Sequence, residues 1–372
     1  MIDIGIGIDI HALFYQVCVI DQNGLVKEDR IATGADGEQL LRELIESQGH
    51  SCVVAMEACT GAYHLYEVLR VTAAKLIIMD PRKMRERFPK RGKKTDKIDA
   101  RNLASLAQFP NTTGNWIPTE ETRRLRELTN ERCRVTEHCT VEMNRVHAKL
   151  KEHGIKWVGA SSKLWTTEGR SWLARQMEKA PAYVRLTINS TLERLDLLWK
   201  QRNDLESAIC ELTEEAEEAK LLRTLPGISA VGSAVILAEM GEWRRFENAK
   251  QLVSYAGLNP SVSQSGAVCS HGPITRKGRS NLRWICVELA LSAHKHCPVL
   301  GAFHARIKKR TRCGGKAKVA TGRKLLTLCW HILRSGQPYH HENAGLTKRK
   351  QALIQRVARK YKAQRELESG SS

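Results

Sequence analysis

The first eighty residues hold five short apolar runs, and their order limits the sheet they can build. Ile4 to Ile10 and Phe14 to Ile20 read as strands, and Asp21-Gln22-Asn23-Gly24 supplies a tight turn into a third near Leu25 to Thr33. A helix follows from about Asp36 to Ser47. Cys52 to Met56 is a short buried strand, Ala62 to Val71 a helix, and Lys75 to Met79 a last strand closed by Asp80-Pro81.

Three strands joined by hairpins, then strand–helix–strand units, is the order of an RNase H-like sheet. Its acids fall at telling places. Asp9 is at the end of the first strand, and Glu57 directly follows the fourth. Further on, Lys93-Lys94-Thr95-Asp96-Lys97-Ile98-Asp99-Ala100-Arg101 sets two acids among cations. If Thr95 caps a helix, Asp96 and Asp99 share one face of its first turns. Such acids can be ordinary surface residues, caps or ion pairs. In this fold, however, the four positions converge at one sheet edge, where carboxylates repel unless divalent cations sit among them. Mg²⁺ suits oxygen ligands and phosphate oxygens, with Mn²⁺ as a substitute. Two such ions about 4 Å apart stabilise the attacking and leaving oxygens of phosphodiester cleavage.

The charge fits that chemistry. The 372 residues carry a formal net charge of +20, with a pI near 9.6, which points to a polyanionic partner, most simply nucleic acid. No apolar run is long enough to span a bilayer, and the basic runs lack a lipid-facing apolar side, so no membrane partner is expected. The start of the chain shows no secretion signal, and eleven cysteines without a repeating spacing point to a reducing cytoplasm. Cys269, His271, His294, His296 and Cys297 could form a zinc site, but no CxxC pair frames them.

Cations cluster in four places. Arg82 to Arg101 holds ten Lys or Arg against Glu86, Asp96 and Asp99, and reads as the path of a nucleic-acid backbone through Arg91, Lys93, Lys94 and Lys97. Arg276, Lys277, Arg279 and Arg283 follow the turn- and Ser-rich loop Tyr255 to Gly266. His304 to Lys324 holds nine Lys or Arg and no acid, and reads as a binding loop that includes Lys308, Lys309 and Arg310, with a helix from Arg323 to Ser335 behind it. The tail from Glu342 has eight Lys or Arg against three Glu, as a basic helix or a disordered segment. A serine of the loop could bind phosphate or attack it, and residue type alone does not choose.

Between these regions, Phe109 to Gly114 marks a boundary. Long helices are predicted from Pro118 to His153 and from Ala182 to Ala219. The second carries Ile188, Leu192, Leu195 and Trp199 at coiled-coil spacing, which suggests an antiparallel arm that is a spacer, an RNA-gripping surface or, as favoured here, a dimerisation element. Trp157, Trp165 and Trp172 read as packing residues of the connection. Leu225-Pro226-Gly227-Ile228 has the form of a helix-hairpin-helix, where the Gly227 backbone can approach a phosphate, or of an ordinary interhelical turn. Four segments result: a catalytic α/β domain over 1–112, the arm over 113–219, a mainly helical domain over 220–340 and a basic tail over 341–372.

The motifs in their order resemble the insertion-sequence transposases with an Asp-Glu-Asp-Asp amino-terminal domain. These are the "one-ten" and "eleven-eleven" families, which include RNA-guided bridge recombinases and have the pilin-gene invertases as relatives. The carriers are Gly7-Ile8-Asp9, Met56-Glu57-Ala58-Cys59-Thr60-Gly61, Lys94 to Ala100, Leu225-Pro226-Gly227-Ile228, Tyr255-Ala256-Gly257-Leu258-Asn259-Pro260, and Ser265-Gly266 before Gly272 to Gly278. The resemblance implies a RuvC-like domain, a coiled-coil arm and a transposase domain. It implies Asp9, Glu57, Asp96 and Asp99 as metal-binding acids and Ser265 as a serine nucleophile. Double-stranded donor and target DNA, a structured noncoding guide RNA, and a homodimer that becomes a tetramer at synapsis are implied as partners, with a nucleoid-associated place in a bacterial cytoplasm. Two departures stand out: Ile10-His11 follows the first acid where many relatives carry a small residue and Lys, and one extra residue follows Glu57. Ser261, Ser263 and Ser270 lie close to Ser265. Two rival readings are a metal-dependent nuclease of the Holliday-junction-resolvase type, with water as nucleophile, and a non-catalytic nucleic-acid-binding protein.

Overall fold

The computed structural model describes residues 4–49, 52–72, 74–88, 95–109, 111–265 and 268–369. Arg91, Lys93 and Lys94 of the predicted backbone path lie outside them. The chain divides into two compact units, Met1–Ile117 and Pro118–Ser372.

The first unit is α/β. Strand β1 (Ile4–Ile10) pairs antiparallel with β2 (Phe14–Asp21), and β2 with β3 (Gly24–Ala32). Helix α1 (Ala35–Ser47) leads to β4 (Cys52–Glu57), which lies parallel to β1. Helix α2 (Ala62–Leu69) leads to β5 (Lys75–Met79), parallel to β4. The sheet order β3-β2-β1-β4-β5 is mixed, and it is compatible with an RNase H-like domain. Two helices follow. In α3 (Pro81–Arg87), Asp80 accepts from the Arg82 N–H and proline takes the first position, so the residues expected only to close β5 start a helix. In α4 (Asp96–Ala107), the Thr95 hydroxyl accepts from the Ile98 N–H, as expected of a cap.

The two faces of β1 differ sharply. Ile6 and Ile8 are buried in a cluster with Leu41, Ile45, Leu65 and Leu69. On the other face stand Gly5 and Gly7, and there α4 lies directly on the strand. A Cβ on Gly5 would come within 2.3 Å of the Ala104 carbonyl oxygen, and one on Gly7 within 2.0 Å of that of Ala100. Two residues of strand advance about 6.7 Å and four of helix about 6 Å, so the two backbones stay in step. Continued by one repeat, the match sets Asp9 beside the first turn of α4.

The second unit is mainly helical. Helices α5 (Glu120–Glu152), α6 (Thr167–Lys179) and α7 (Ala182–Thr213) form its first part. Helices α5 and α7 run antiparallel: Arg132 bonds Glu206 at 2.7 Å, Val135 and Cys139 pack with Leu195, and Val146 and Leu150 with Val184 and Ile188. Trp157, Trp165 and Trp172 pack against the last group, as read from the sequence.

Helix α7 stops at Thr213, short of the expected Ala219, and α8 (Glu217–Arg223) starts anew. Arg223 explains the break. Its side chain is buried, donating to the Thr213 carbonyl at 2.9 Å, the Thr213 hydroxyl at 2.7 Å and Ser233 Oγ at 3.1 Å. Arg223→Met keeps much of the volume but leaves these acceptors buried without a donor. It is expected to lower stability by about 2–4 kcal/mol. Urea unfolding checks this, and an unchanged midpoint would deny the guanidinium its structural role.

Helices α9 (Ala230–Met240) and α10 (Ala249–Tyr255) come next, then a hairpin of β6 (Pro260–Ser265) and β7 (Val268–Ile274). The Ser-rich segment expected as a loop is therefore mostly strand. A two-stranded ribbon has no core face to demand alternating apolar residues, so its sequence resembles a loop. Helices α11 (Ser280–His296), α12 (Pro298–Thr311), α13 (Gly314–Ser335) and α14 (Ala344–Ser369) complete the unit. The predicted binding loop His304 to Lys324 is likewise corrected. It is the end of α12 and the start of α13, because Ile307, Ala317 and Thr321 give its cations a buried helical side.

Candidate active site

The acids of the first unit gather at one edge of its sheet. Asp9 is next to last in β1 and Glu57 ends β4; the register pairs Ile8 with Met56, so the two acids are neighbours on parallel strands. Asp96 and Asp99 occupy the first turn of α4. Burial pushes the Asp9 carboxyl above its ordinary pKa; the Asp99 and Asp96 charges add to that, and the His11 imidazole opposes it without cancelling it. Cys59 reports on Glu57. Its thiol is pushed up by burial first and then by Asp9 and Glu57 together.

His11 stands among the acids. Its Nε2 lies 3.1 Å from Asp9 Oδ2 and 3.6 Å from Asp96 Oδ1. Its ring stacks on Phe14 at 4.5 Å, and Phe14 in turn lies 3.8 Å from the Arg30 guanidinium carbon. Arg30 reaches Asp96 Oδ2 at 3.9 Å. In the sequence, His11 stood out only as a departure from the family pattern. Its signal was there: a nitrogen donor two residues beyond the acid that ends a strand. Among the described residues, Asp9, His11 and Asp96 offer donor atoms all within 4.8 Å of one another.

The shortest of these distances is also that of a hydrogen bond between His11 and Asp9, and Glu57 and Asp99 lie outside this group of three. Ligands adjacent in an octahedron with bonds of about 2.1 Å sit about 3 Å apart, close to the Asp9–His11 separation. Beside the site opens a depression of about 430 Å³, lined by Gln16, Arg30, Asp96 and Lys97 among others. Its lining carries two cations, Arg30 and Lys97, and three carboxylates, Glu28, Asp29 and Asp96.

The predicted residues of the second unit fare unevenly. Ser265 is the last residue of β6, paired with Val268 of β7, and Gly266 lies outside the described residues. Arg276 and Lys277 are exposed beyond β7. Arg279 is held by Glu239 at 2.7 Å, a carboxylate that is 1% exposed, and Arg283 donates to the Ala256 carbonyl at 3.0 Å. Both hold structure together. They lock Tyr255-Ala256-Gly257 onto Arg276-Lys277-Gly278, where a Cβ on Gly278 would come within 2.2 Å of the Tyr255 carbonyl oxygen. The two motifs therefore fix the base of the β6–β7 hairpin. Gly227, at φ 95°, is required by packing, since a Cβ there would come within 2.5 Å of Ala293. Lys308, Lys309 and Arg310 are exposed in the last turn of α12.

The chain is similar to known proteins over both of these regions. A family model for DEDD transposases of the IS110 type matches residues 6–155, which include all four acids. A second, described as the Transposase IS116/IS110/IS902 family, matches residues 219–305, which include the hairpin. The chain is 24% identical over 339 residues to the transposase for insertion sequence element IS1111A of Coxiella burnetii, covering 90% of each chain. It is 24% identical over 242 residues to the transposase for insertion sequence element IS1328 of Yersinia enterocolitica, covering 64% of this chain and 70% of the relative. It is 30% identical over 123 residues to the pilin gene-inverting protein of Moraxella bovis, covering 32% of this chain and 38% of the relative. No helix among the described residues is long and apolar enough to cross a membrane. Two matched stretches, with the acids in one and the hairpin in the other, identify the chain as a member of the IS110 family of transposases.

Proposed function

We propose that this transposase cuts and rejoins DNA through a phosphoserine, using divalent cations held by Asp9, Glu57, Asp96 and Asp99. The gathering of those four charges at one sheet edge carries the reading. Mg²⁺ or Mn²⁺ bound there would polarise the scissile phosphate and offset its developing charge. Ser265, supplied from a second copy, attacks the phosphorus. The Oγ–P bond forms as the P–O3′ bond breaks, and the serine proton is recovered on the released 3′ hydroxyl. Arg276 and Lys277 are free to face the phosphate. A structured noncoding RNA pairs with donor and target, which leaves the protein to hold backbones. The arm joins two copies, and synapsis brings four.

His11 Nε2 belongs to the same ligand set, which tilts the site from Mg²⁺ toward Mn²⁺, since a nitrogen donor suits the softer ion. Purified protein should cleave DNA bearing the element's ends only with a divalent cation and the RNA encoded beside the gene, leaving protein attached to one strand. In Mn²⁺-loaded protein, electron spin-echo spectra should carry a directly bonded imidazole nitrogen that His11→Ala removes. Cleavage without metal would refute the site, and absence of the nitrogen signal would refute the ligand assignment alone.

A further inference from the structure

Helix α14 lies outside both stretches matched by the family models. Its residues divide by face. On the inner side Ile354 and Ala358 are buried, Lys350 Nζ donates to the Arg223 carbonyl at 3.0 Å, and Gln351 donates to the Glu214 carbonyl at 3.0 Å. Lys362 pairs with Glu214 at 2.5 Å and Arg365 with Glu211 at 3.1 Å. These contacts seat the helix on α7 and α8.

The outer side is different. Lys348, Arg349, Arg356, Arg359 and Lys360 are all exposed, and none is paired with an acid among the described residues. At 3.6 residues per turn the five fall within an arc of about 120°, along about 18 Å of helix. Exposed Ala352 and Ala363 between them leave the stripe low and accessible. Glu366 stands only at its border. A solubilising surface mixes both signs, whereas this one is of a single sign in a chain already at +20. One strand of duplex DNA presents about five phosphates over the same rise.

We propose that the outer face of α14 is an additional contact for double-stranded DNA, gripping its phosphates without reading bases. DNA is chosen because it is the polyanion that transposition itself handles. The substrate class comes from the family, and nothing here depends on the serine or metal chemistry.

The test is full-length protein carrying Lys348→Gln, Arg349→Gln, Arg356→Gln, Arg359→Gln and Lys360→Gln. Its affinity for a 30-base-pair duplex of arbitrary sequence is measured by fluorescence anisotropy in EDTA, so that no cutting enters, across a series of NaCl concentrations. Binding near 0.1 M salt should weaken by at least about tenfold. The slope of log K against log salt should lose about 4.5, near 0.9 for each of the five phosphate contacts removed. The melting temperature should hold, because the inner face is intact. A control neutralises five exposed cations of the arm connection: Lys151→Gln, Lys156→Gln, Lys163→Gln, Arg175→Gln and Lys179→Gln. An unchanged slope for the α14 variant overturns the proposal. So does an equal loss in the control, which would make the effect one of net charge. Weakened binding to a structured RNA with duplex DNA unaffected would overturn it too.

Discussion

Replacing Asp9 by Asn is expected to slow DNA strand cleavage by about a thousandfold or more. That corresponds to about 4 kcal/mol of lost transition-state stabilisation, the scale on which a divalent cation acts. Asn is nearly the same size and can still meet the His11 ring, so the fold should persist. The stability of the variant carries a second signature. The folded-state pKa of Asp9 lies above its ordinary value, chiefly through burial. Its ionisation therefore costs stability as pH rises past the ordinary carboxylate range, and at neutral pH that cost is fully present. Asn cannot ionise. Without metal, the variant should melt no lower than the parent. With Mn²⁺ or Mg²⁺ the parent should gain melting temperature, and the variant should gain little. Calorimetry with and without metal, beside a cleavage assay, separates a lost ligand from a damaged fold. Cleavage at the parental rate would remove Asp9 from the chemistry.

The sheet was legible because its strands are short runs of β-branched residues with turn residues between them. The expected strand Lys75 to Met79 is found with the same ends. What the glycines of β1 do was not legible. Gly5 and Gly7 are required only by the backbone of α4, about one hundred residues away in the chain, and no local pattern announces that contact. Charge misled in a different way. An arginine that anchors a buried carboxylate and one that awaits a phosphate look alike in sequence, and the hold of Arg279 on Glu239 was not legible there. The tail was ambiguous for a related reason. Its eight cations hid two faces, and only the partners Glu211 and Glu214 on α7 and just beyond it reveal which side is committed.

Ser265→Ala should leave DNA binding as in the parent and abolish the covalent protein–DNA link, with rejoining lost entirely. The reason is where the energy of the broken bond goes. A phosphoserine is a phosphodiester much like the one it replaces, so the released 3′ hydroxyl can reverse the attack on a new strand with no other energy source. Water as nucleophile leaves a terminal phosphate, and the reaction cannot be reversed in that way. Ser265 ends β6, and the base of that hairpin is locked by Arg283 and the close approach of Gly278 to Tyr255. Ser265→Cys should retain a small fraction of adduct, since the thiol can attack but forms a longer bond. Denaturing gels of labelled DNA read both outcomes, adduct as retarded strand and cleavage as shortened strand. If Ser265→Ala cuts at the parental rate without any retarded strand in the parent, the acids work with water and the enzyme is a nuclease of the resolvase type; if the retarded strand persists in the variant, Ser261, Ser263 or Ser270 is the attacking residue and Ser265 only shapes the turn.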